Sequence, residues 1–190
     1  MARPRKFDEA EVLACAMTEF WRNGYHATTT RTLEAQTGVG IRSLANTFGD
    51  KDQLFVSALA RYRETAAGML NQLFDPPSVD AIAALFGGMS APVDPDHVTN
   101  SGCLMVNTVF ELDEPPEAVA AEIAAYRAMF RDTFEAALRA DGVPDPDTKA
   151  EFLLSSLWGA LSQIRLSGST TAAAPTVETV QQILATWAEG

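Results

Sequence analysis

The sequence has few of the residues that build metal, disulfide or catalytic sites. It contains two cysteines and two histidines among 190 residues. Cys15 and Cys103 have neither a second cysteine pair nor a nearby histidine, so they fit neither a disulfide framework nor a metal site. No nucleophile, base and acid stand together, and no phosphate-binding loop or dinucleotide fingerprint is present. We therefore expect a protein that is not an enzyme and that needs no metal or cofactor. Both cysteines are expected to be small buried hydrophobes, with a redox or ligand-contact role for Cys103 as the alternative.

Long apolar runs are also absent. Hydrophobic residues make up 47% of the chain and charged residues 21%, which excludes a disordered protein. No apolar run approaches the roughly 20 residues that cross a bilayer. The basic start of the chain is followed by Phe7, Asp8 and Glu9 and not by the apolar stretch of a secretory signal. These features predict a cytoplasmic protein that has no membrane partner.

Positive charge is scarce, and what there is lies near the start of the chain. The net charge is −11. Residues 1–63 hold nine Lys and Arg against seven Asp and Glu, whereas residues 64–190 hold five against eighteen. A basic N-terminal region on an otherwise acidic protein orients that protein on a polyanion, because the acidic faces are repelled. The first third of the chain is therefore the candidate DNA-binding end.

Apolar residues recur at intervals of three and four throughout the chain, which predicts an all-α fold of about nine helices. No segment shows the alternation of a strand. The predicted helices cover residues 8–23, 41–48, 51–74, 79–89, 103–112, 117–140, 148–167 and 177–189, and a short second helix that includes residues 33–37 lies between the first two of these. Asp50 is expected to cap the helix over 51–74, and residues 90–102 read as a loop. We divide the chain into a helix-turn-helix domain, residues 1–50, and a larger helical ligand-binding and dimerisation domain, residues 51–190, connected by that helix.

Two short helices with a glycine-containing turn between them, and polar residues on the second, are typical of a helix-turn-helix. The residues that sharpen this pattern are Gly24-Tyr25-His26-Ala27-Thr28-Thr29, Leu33, Gly38-Val39, Ser43-Leu44, the run from Phe48 to Phe55, and Ala58-Leu59. In this order and spacing, residues 7–63 closely resemble the DNA-binding domain of the tetracycline-repressor (TetR) family. The segments Arg3–Asp8 and Gly102–Asn107 are similar to one branch of that family. The resemblance implies a helical, dimerising sensor domain in the remainder of the chain.

The resemblance also implies which residues meet DNA. The family usually places a small polar residue, a Lys and a Tyr on the recognition helix, where this sequence has Gly40, Ile41 and Ala45. The base-edge candidates that remain are Arg42, Ser43, Asn46 and Thr47, of which an arginine can read guanine and an asparagine adenine. Lys51, at a helix start, is the main phosphate candidate, with Thr28, Thr29 and Tyr25 beside it. Arg3, Arg5 and Lys6 form a basic arm that is expected to add phosphate or minor-groove contacts.

The C-terminal helices carry two predicted surfaces. A ligand cavity is expected to be lined by Phe86, Met105, Asn107, Val109, Phe110, Tyr126, Phe130, Trp158 and Leu161, although aromatic residues at helical spacing also serve a plain core. The helix over 148–167 is apolar on several faces, which predicts burial on two sides. A homodimer interface through the last two helices is therefore expected to use Leu153, Leu157, Ile164, Val180, Ile183, Leu184 and Trp187.

These features predict a regulator that binds a palindromic DNA operator as a dimer and is released by a small, apolar or aromatic inducer. Repression is the leading interpretation, and activation stays open because the sign depends on where the operator lies. Ile41 and Ala45 favour the alternative, a ligand- or protein-binding module of the same fold with lost or altered DNA recognition. An inverted repeat enriched from random DNA distinguishes the two hypotheses.

Overall fold

The fold is that of a computed structural model, which describes residues 7–188. Within this range the chain forms nine α-helices and no strand, as the apolar periodicity predicts. The helices are α1 (Glu9–Ala27), α2 (Thr30–Thr37), α3 (Ile41–Phe48), α4 (Lys51–Leu73), α5 (Val79–Met89), α6 (Leu104–Glu111), α7 (Glu117–Ala140), α8 (Pro146–Ser167) and α9 (Ala174–Ala188). Single turns of 3-10 helix, Val98–Ser101 and Thr170–Ala173, precede α6 and α9.

Side chains of polar residues set the starts of the first helices. The Asp8 carboxylate accepts the amide of Ala10 at the start of α1, and the Thr29 hydroxyl accepts the amide of Thr32 at the start of α2. Asp50 and Gln53 form a reciprocal capping box at the start of α4, which confirms the predicted cap. Each cap satisfies backbone amides that a helix start leaves without an intrahelical partner.

Three helices begin or end more than one residue away from their predicted positions. α1 continues past residue 23 to Ala27, but it is broken at Gly24, whose φ of 81° and ψ of 173° are not helical. α8 begins at Pro146, two residues earlier than predicted, because proline is well accommodated in the first turn of a helix. α9 begins at Ala174 because the preceding 3-10 turn runs directly into it.

One part of the core holds the first four helices together. Phe20 of α1, Leu33 of α2, Leu44 of α3 and Phe55 of α4 are all buried. The rings of Phe20 and Phe55 meet edge to face with centroids 4.8 Å apart. Leu44 anchors the inner face of α3, so the opposite face of that helix is directed to solvent.

The rest of the core lies among the longer helices. The most extensive packing joins α7 to α8, and α5 packs on α9. α4 packs against both α1 and α7, so it belongs to both parts of the core. The division at residue 50 stays a prediction. Among residues 7–188, no helix combines the length and the apolar character that a bilayer crossing requires.

Candidate DNA-binding surface and ligand cavity

The outer face of α3 carries polar side chains that have no partner among residues 7–188. Arg42, Ser43 and Asn46 are exposed, and Thr47 is half-buried. Residues three and four apart share one face of a helix, so Asn46 lies beside both Arg42 and Ser43. None of these three side chains makes a hydrogen bond or ion pair within residues 7–188. Their contacts with bases stay a prediction.

The beginning of α3 departs from the usual recognition helix, as the sequence indicated. Gly40 stands at the N-cap and provides no side-chain cap. Ile41 is 42% exposed and Ala45 is exposed, so the helix presents apolar surface beside its polar residues. Apolar side chains can contact the thymine methyl group, but they cannot bind phosphate.

Tyr25 and Lys51 form a cluster beside α3, at the start of α4. The Lys51 Nζ lies 4.1 Å from the centre of the Tyr25 ring, and the Tyr25 hydroxyl donates a hydrogen bond to the Asp52 carboxylate. That hydrogen bond, together with partial burial and the charges of Asp52 and Asp50, raises the pKa of Tyr25 to about 12. Partial burial lowers the pKa of Lys51, while Asp52 and Glu111 oppose the change. The Tyr25 ring therefore stabilises the Lys51 ammonium through a cation–π contact, and the Tyr25 hydroxyl is engaged in its hydrogen bond to Asp52.

The two threonines differ in what they offer to DNA. Thr28 is fully buried and its hydroxyl donates to the Gly24 carbonyl at 2.7 Å, so the predicted phosphate contact through its side chain is wrong. Thr29 is exposed at the start of α2, and its phosphate contact stays a prediction. Arg3, Arg5 and Lys6 lie outside the described residues.

A cavity of about 450 Å³ lies between α1, α4, α5, α7 and α8. Its lining consists of Met17, Trp21, Tyr62, Thr65, Ala66, Met69, Leu73, Ala84, Leu85, Gly88, Met89, Tyr126, Phe130, Leu157 and Leu161. None of these residues is charged. The hydroxyl of Thr65 donates to the Arg61 carbonyl within its own helix. The cavity is therefore suited to a neutral, apolar molecule.

Three of the predicted pocket residues line this cavity, namely Tyr126, Phe130 and Leu161. Phe86 and Met105 are fully buried in the core and do not line it. Asn107 and Phe110 line a separate surface groove with Glu111 and Arg165. The Asn107 amide is satisfied by the Ser101 carbonyl, and Phe110 is 72% exposed.

Val109 and Trp158 line neither the cavity nor the groove. Both are half-buried, and the Trp158 Nε1 is buried without a hydrogen-bond partner. Sequence reasoning missed Met17 and Trp21, which α1 contributes to the cavity wall. Their place in the apolar stripe of α1 was visible, but that stripe does not indicate which of its members face a void.

Two tyrosines of the cavity wall, Tyr62 and Tyr126, lie close to each other and to a buried cysteine. The Sγ of the buried Cys103 lies 3.5 Å from the Tyr126 hydroxyl. The Tyr62 and Tyr126 rings have centroids 5.8 Å apart. Burial, followed by the neighbouring Cys103, raises the pKa of both tyrosines well above the ordinary value, so both remain neutral. Cys103 is buried as predicted, whereas Cys15 is exposed, because it lies on the outer side of α1, one residue before the buried Ala16.

Most of the residues predicted for the dimer interface are covered within one protomer. Leu153, Leu157, Ile164, Val180 and Leu184 are each at most 3% exposed. Other parts of the same protomer cover these side chains, which are therefore not available to a partner, so this part of the prediction is wrong. Ile183 and Trp187 are half-buried, and their role stays a prediction. The exposed face of α8 carries Phe152, Ser155, Gly159, Gln163 and Leu166.

Two short helices are joined by a turn, and the second bears polar side chains that have no partner in the described part of the chain. This arrangement places the protein in the class of helix-turn-helix DNA-binding proteins. A family model described as "Bacterial regulatory proteins, tetR family" matches residues 12–58, and one described as "Tetracyclin repressor-like, C-terminal domain" matches residues 78–180. The chain therefore belongs to the TetR family of transcriptional regulators, and the resemblance inferred from the sequence is confirmed. The family consists of regulators and not of enzymes, as expected.

Known relatives agree with this assignment. The chain is 35% identical over 114 residues to the uncharacterized HTH-type transcriptional regulator YezE of Bacillus subtilis. The aligned residues are 58% of this chain and 58% of YezE. It is 32% identical over 135 residues to the HTH-type transcriptional repressor ComR of Escherichia coli, which is 70% of this chain and 64% of ComR. Both matches span less than two thirds of the relative's length.

A solved structure is similar over almost the whole chain. A cysteine mutant of the TetR-family regulator CifR, in complex with a 26 bp operator, has a TM-score of 0.76 and is 26% identical, with 95% of this chain and 98% of that chain covered.

Proposed function

We propose that the protein is a ligand-responsive transcriptional repressor, which binds a palindromic operator as a homodimer and leaves it when a small apolar molecule enters the cavity. The observation that carries this proposal is the exposed face of α3, where Arg42, Ser43 and Asn46 have no partner within the described residues. An arginine left unpaired in a protein of net charge −11 is well placed for an external acceptor such as a guanine edge. Operator DNA lies in the bacterial cytoplasm, so the proposal places the protein there.

The DNA-binding part is tested by selecting duplexes from a random pool and titrating the best one by fluorescence anisotropy at several salt concentrations. We expect an inverted repeat and an affinity that falls steeply with salt. Arg42→Ala is expected to cost about 1–3 kcal/mol and to relax one base position. Arg61→Ala is the matched control, because Arg61 is also exposed but lies about 15 Å along α4 from Lys51. No enriched site, or equal effects of the two variants, contradicts sequence reading by α3.

The homodimer is proposed to form through the outward face of α8, with Ile183 and Trp187 of α9 at its edge. Phe152 and Leu166 are 43% and 82% exposed, and such large apolar side chains on a surface are typical of interfaces. Gly159 lies between them, with nothing within 4 Å of an added Cβ. A small residue at the centre allows two helices to approach closely.

Sedimentation velocity of a substituted protein tests this interface. Gly159→Arg is expected to give monomers and to weaken operator binding, because two half-sites one DNA turn apart need two recognition helices. Gly68→Arg is the control, since Gly68 is also exposed in a helix with open space around it. A Gly159→Arg protein that stays dimeric contradicts the α8 interface.

The inducer is proposed to be neutral and apolar or aromatic, because no charged residue lines the cavity. The fluorescent probes N-phenyl-1-naphthylamine and 1-anilinonaphthalene-8-sulfonate share a ring system and differ in charge. We expect the neutral probe to bind at least about tenfold more tightly, since the cavity has no cation to compensate for desolvating a sulfonate. Tighter binding of the sulfonate contradicts the ligand class.

A second function is favoured by Ile41, which is 42% exposed at the start of α3 beside a small apolar recess that Leu33 and Leu44 line. In this alternative the fold binds a ligand or protein, and its DNA affinity is weak and independent of sequence. It predicts no enriched duplex and an equal effect of Arg42→Ala and Arg61→Ala.

A further inference from the structure

The kink in α1 leaves two backbone amides without helical partners. In an unbroken helix the amides of Tyr25 and His26 would donate to the carbonyls four residues earlier. At Gly24 the backbone is not helical, and both amides turn instead to one carboxylate. Tyr25 N donates to the Glu111 Oε2 at 2.9 Å, and His26 N donates to the Glu111 Oε1 at 2.7 Å.

Glu111 is the last residue of α6, a position at which the charge distribution of its own helix disfavours a carboxylate. The C-terminal end of a helix carries partial negative charge, which repels a carboxylate. The two amides of α1 compensate for this, because the turn after the kink acts as a new helix start. Gly24 is needed for the approach, since a Cβ there would lie 2.6 Å from the Glu111 Oε2.

The other end of α6 is joined to the cavity. Gly102 lies two residues before the helix, and its carbonyl accepts the Trp21 Nε1 at 3.0 Å. The Cys103 Sγ lies 3.5 Å from the Tyr126 hydroxyl, and both Trp21 and Tyr126 line the cavity. The eight residues of α6 therefore form a rod about 12 Å long between the cavity and the kink.

From the kink the contacts continue to the DNA-binding surface. The Tyr25 ring packs against Phe55 with centroids 5.0 Å apart and lies beneath the Lys51 ammonium. α2 starts at Thr30, four residues after His26. Moving the two clamped amides therefore moves both Lys51 and the start of the helix-turn-helix.

We propose that Glu111 is a positioning residue, which couples the cavity to the helix-turn-helix by clamping the Tyr25 and His26 amides. α6 passes a displacement of Trp21 or Tyr126 to the Glu111 carboxylate, and the clamp passes it to the part of α1 that follows the kink at Gly24. The response to a ligand in this inference rests on the proposed function, whereas the clamp itself does not. Glu111 lies outside the cavity lining, so it affects the coupling and not the cavity's own affinity.

The test compares Glu111→Gln with Glu114→Gln, which removes the same charge from an exposed residue that has no partner among the described residues. Glutamine offers one acceptor oxygen and turns an NH₂ group towards the second amide. Hydrogen exchange of the Tyr25 and His26 amides is expected to be at least about tenfold faster in Glu111→Gln and unchanged in Glu114→Gln.

Anisotropy titration of the selected duplex, with and without N-phenyl-1-naphthylamine, measures the coupling. In the wild type and in Glu114→Gln we expect the probe to weaken DNA binding by the same factor. In Glu111→Gln this factor is expected to fall towards one, while the dissociation constant of the probe without DNA is unchanged. If Glu111→Gln keeps the full factor, the residue is only structural and the proposal is overturned.

If the probe does not bind, or binds without changing DNA affinity, the ligand-responsive part of the proposed function fails. The role of the clamp is then tested with Ala66→Phe, which places a ring in the cavity. This substitution is expected to change DNA affinity in the wild type and to have little effect in the Glu111→Gln background. An equal effect in both backgrounds, or none in either, overturns the proposal.

Discussion

Gly24→Ala is the substitution for which the structure gives the most definite consequence. Gly24 has a φ of 81° and a ψ of 173°, a region open essentially to glycine alone. A methyl group there would also lie 2.6 Å from one Glu111 oxygen and 2.9 Å from the other. Two separate penalties therefore arise, one from the backbone and one from displacement of the carboxylate.

The magnitudes of both penalties can be estimated. The backbone conformation costs a residue with a Cβ about 1–3 kcal/mol. Displacing the carboxylate weakens hydrogen bonds to a charged group, which contribute about 1.5–3 kcal/mol each. Loss of one such bond gives a total of about 2.5–6 kcal/mol, a large part of the roughly 5–15 kcal/mol by which domains are stable. Gly142→Ala is the control, because Gly142 has a φ of 70° but open space around it, and should cost only about 1–2 kcal/mol.

Urea unfolding of four proteins separates the two penalties: wild type, Gly24→Ala, Glu111→Ala and the double variant. The backbone penalty persists when Glu111 is absent, whereas the collision disappears. The double variant is therefore expected to be more stable, by about 1.5–3 kcal/mol, than the sum of the single effects predicts. Additive effects, with Gly24→Ala no worse than Gly142→Ala, would refute the contact between Gly24 and Glu111.

Three further outcomes follow from the described contacts. All three tyrosines have a raised pKa, Tyr25 to about 12, so the stability that this provides is present below pH 10 and lost as pH rises towards 12. Absorbance at 295 nm and circular dichroism should show no tyrosinate at about pH 10 in the folded protein, and ionisation at that pH without unfolding contradicts this. Lys51→Met should weaken binding to all duplexes alike and reduce the salt slope by about 1, and a sequence-dependent loss argues against a phosphate contact. Gly88→Leu should fill the cavity without a clash, weakening the neutral probe at least about tenfold at unchanged or higher melting temperature. Unchanged probe binding would mean that the probe binds elsewhere.

The DNA-binding end was largely predictable because its signals are local. The Asp50 cap, the Gly38 turn and the apolar spacing around Leu44 each act within a few residues, and α3 begins and ends where the sequence predicted. The buried position of Thr28 was not predictable in this way. Its hydroxyl donates to the Gly24 carbonyl four residues earlier, as threonines in helices commonly do, and its burial depends on the packing between helices and not on a local signal.

The cavity and the interface were less predictable because they depend on how distant helices meet. Leu157 and Leu161 lie four residues apart on α8, and both line the cavity, whereas Leu153 of the same helix is completely buried. An apolar pattern shows that a face is covered, but not whether a core, a cavity or a second protomer covers it. The contacts of Glu111 join residues 85 and 86 positions apart, a distance at which no sequence periodicity applies.

The positions of Met17 and Trp21 bear on how a ligand can affect DNA binding. They belong to α1, which packs against α2 of the helix-turn-helix, and they are also part of the cavity wall. A ligand can shift the protein only by the difference between its affinities for the DNA-bound and released conformations. That difference is expected here because the cavity walls include α1 and α4, the two helices that hold the recognition unit. Linkage then requires that DNA weakens the binding of the probe by the same factor by which the probe weakens the binding of DNA. Measuring both factors on one duplex tests the mechanism without assigning any residue a role, because unequal factors contradict a two-site equilibrium.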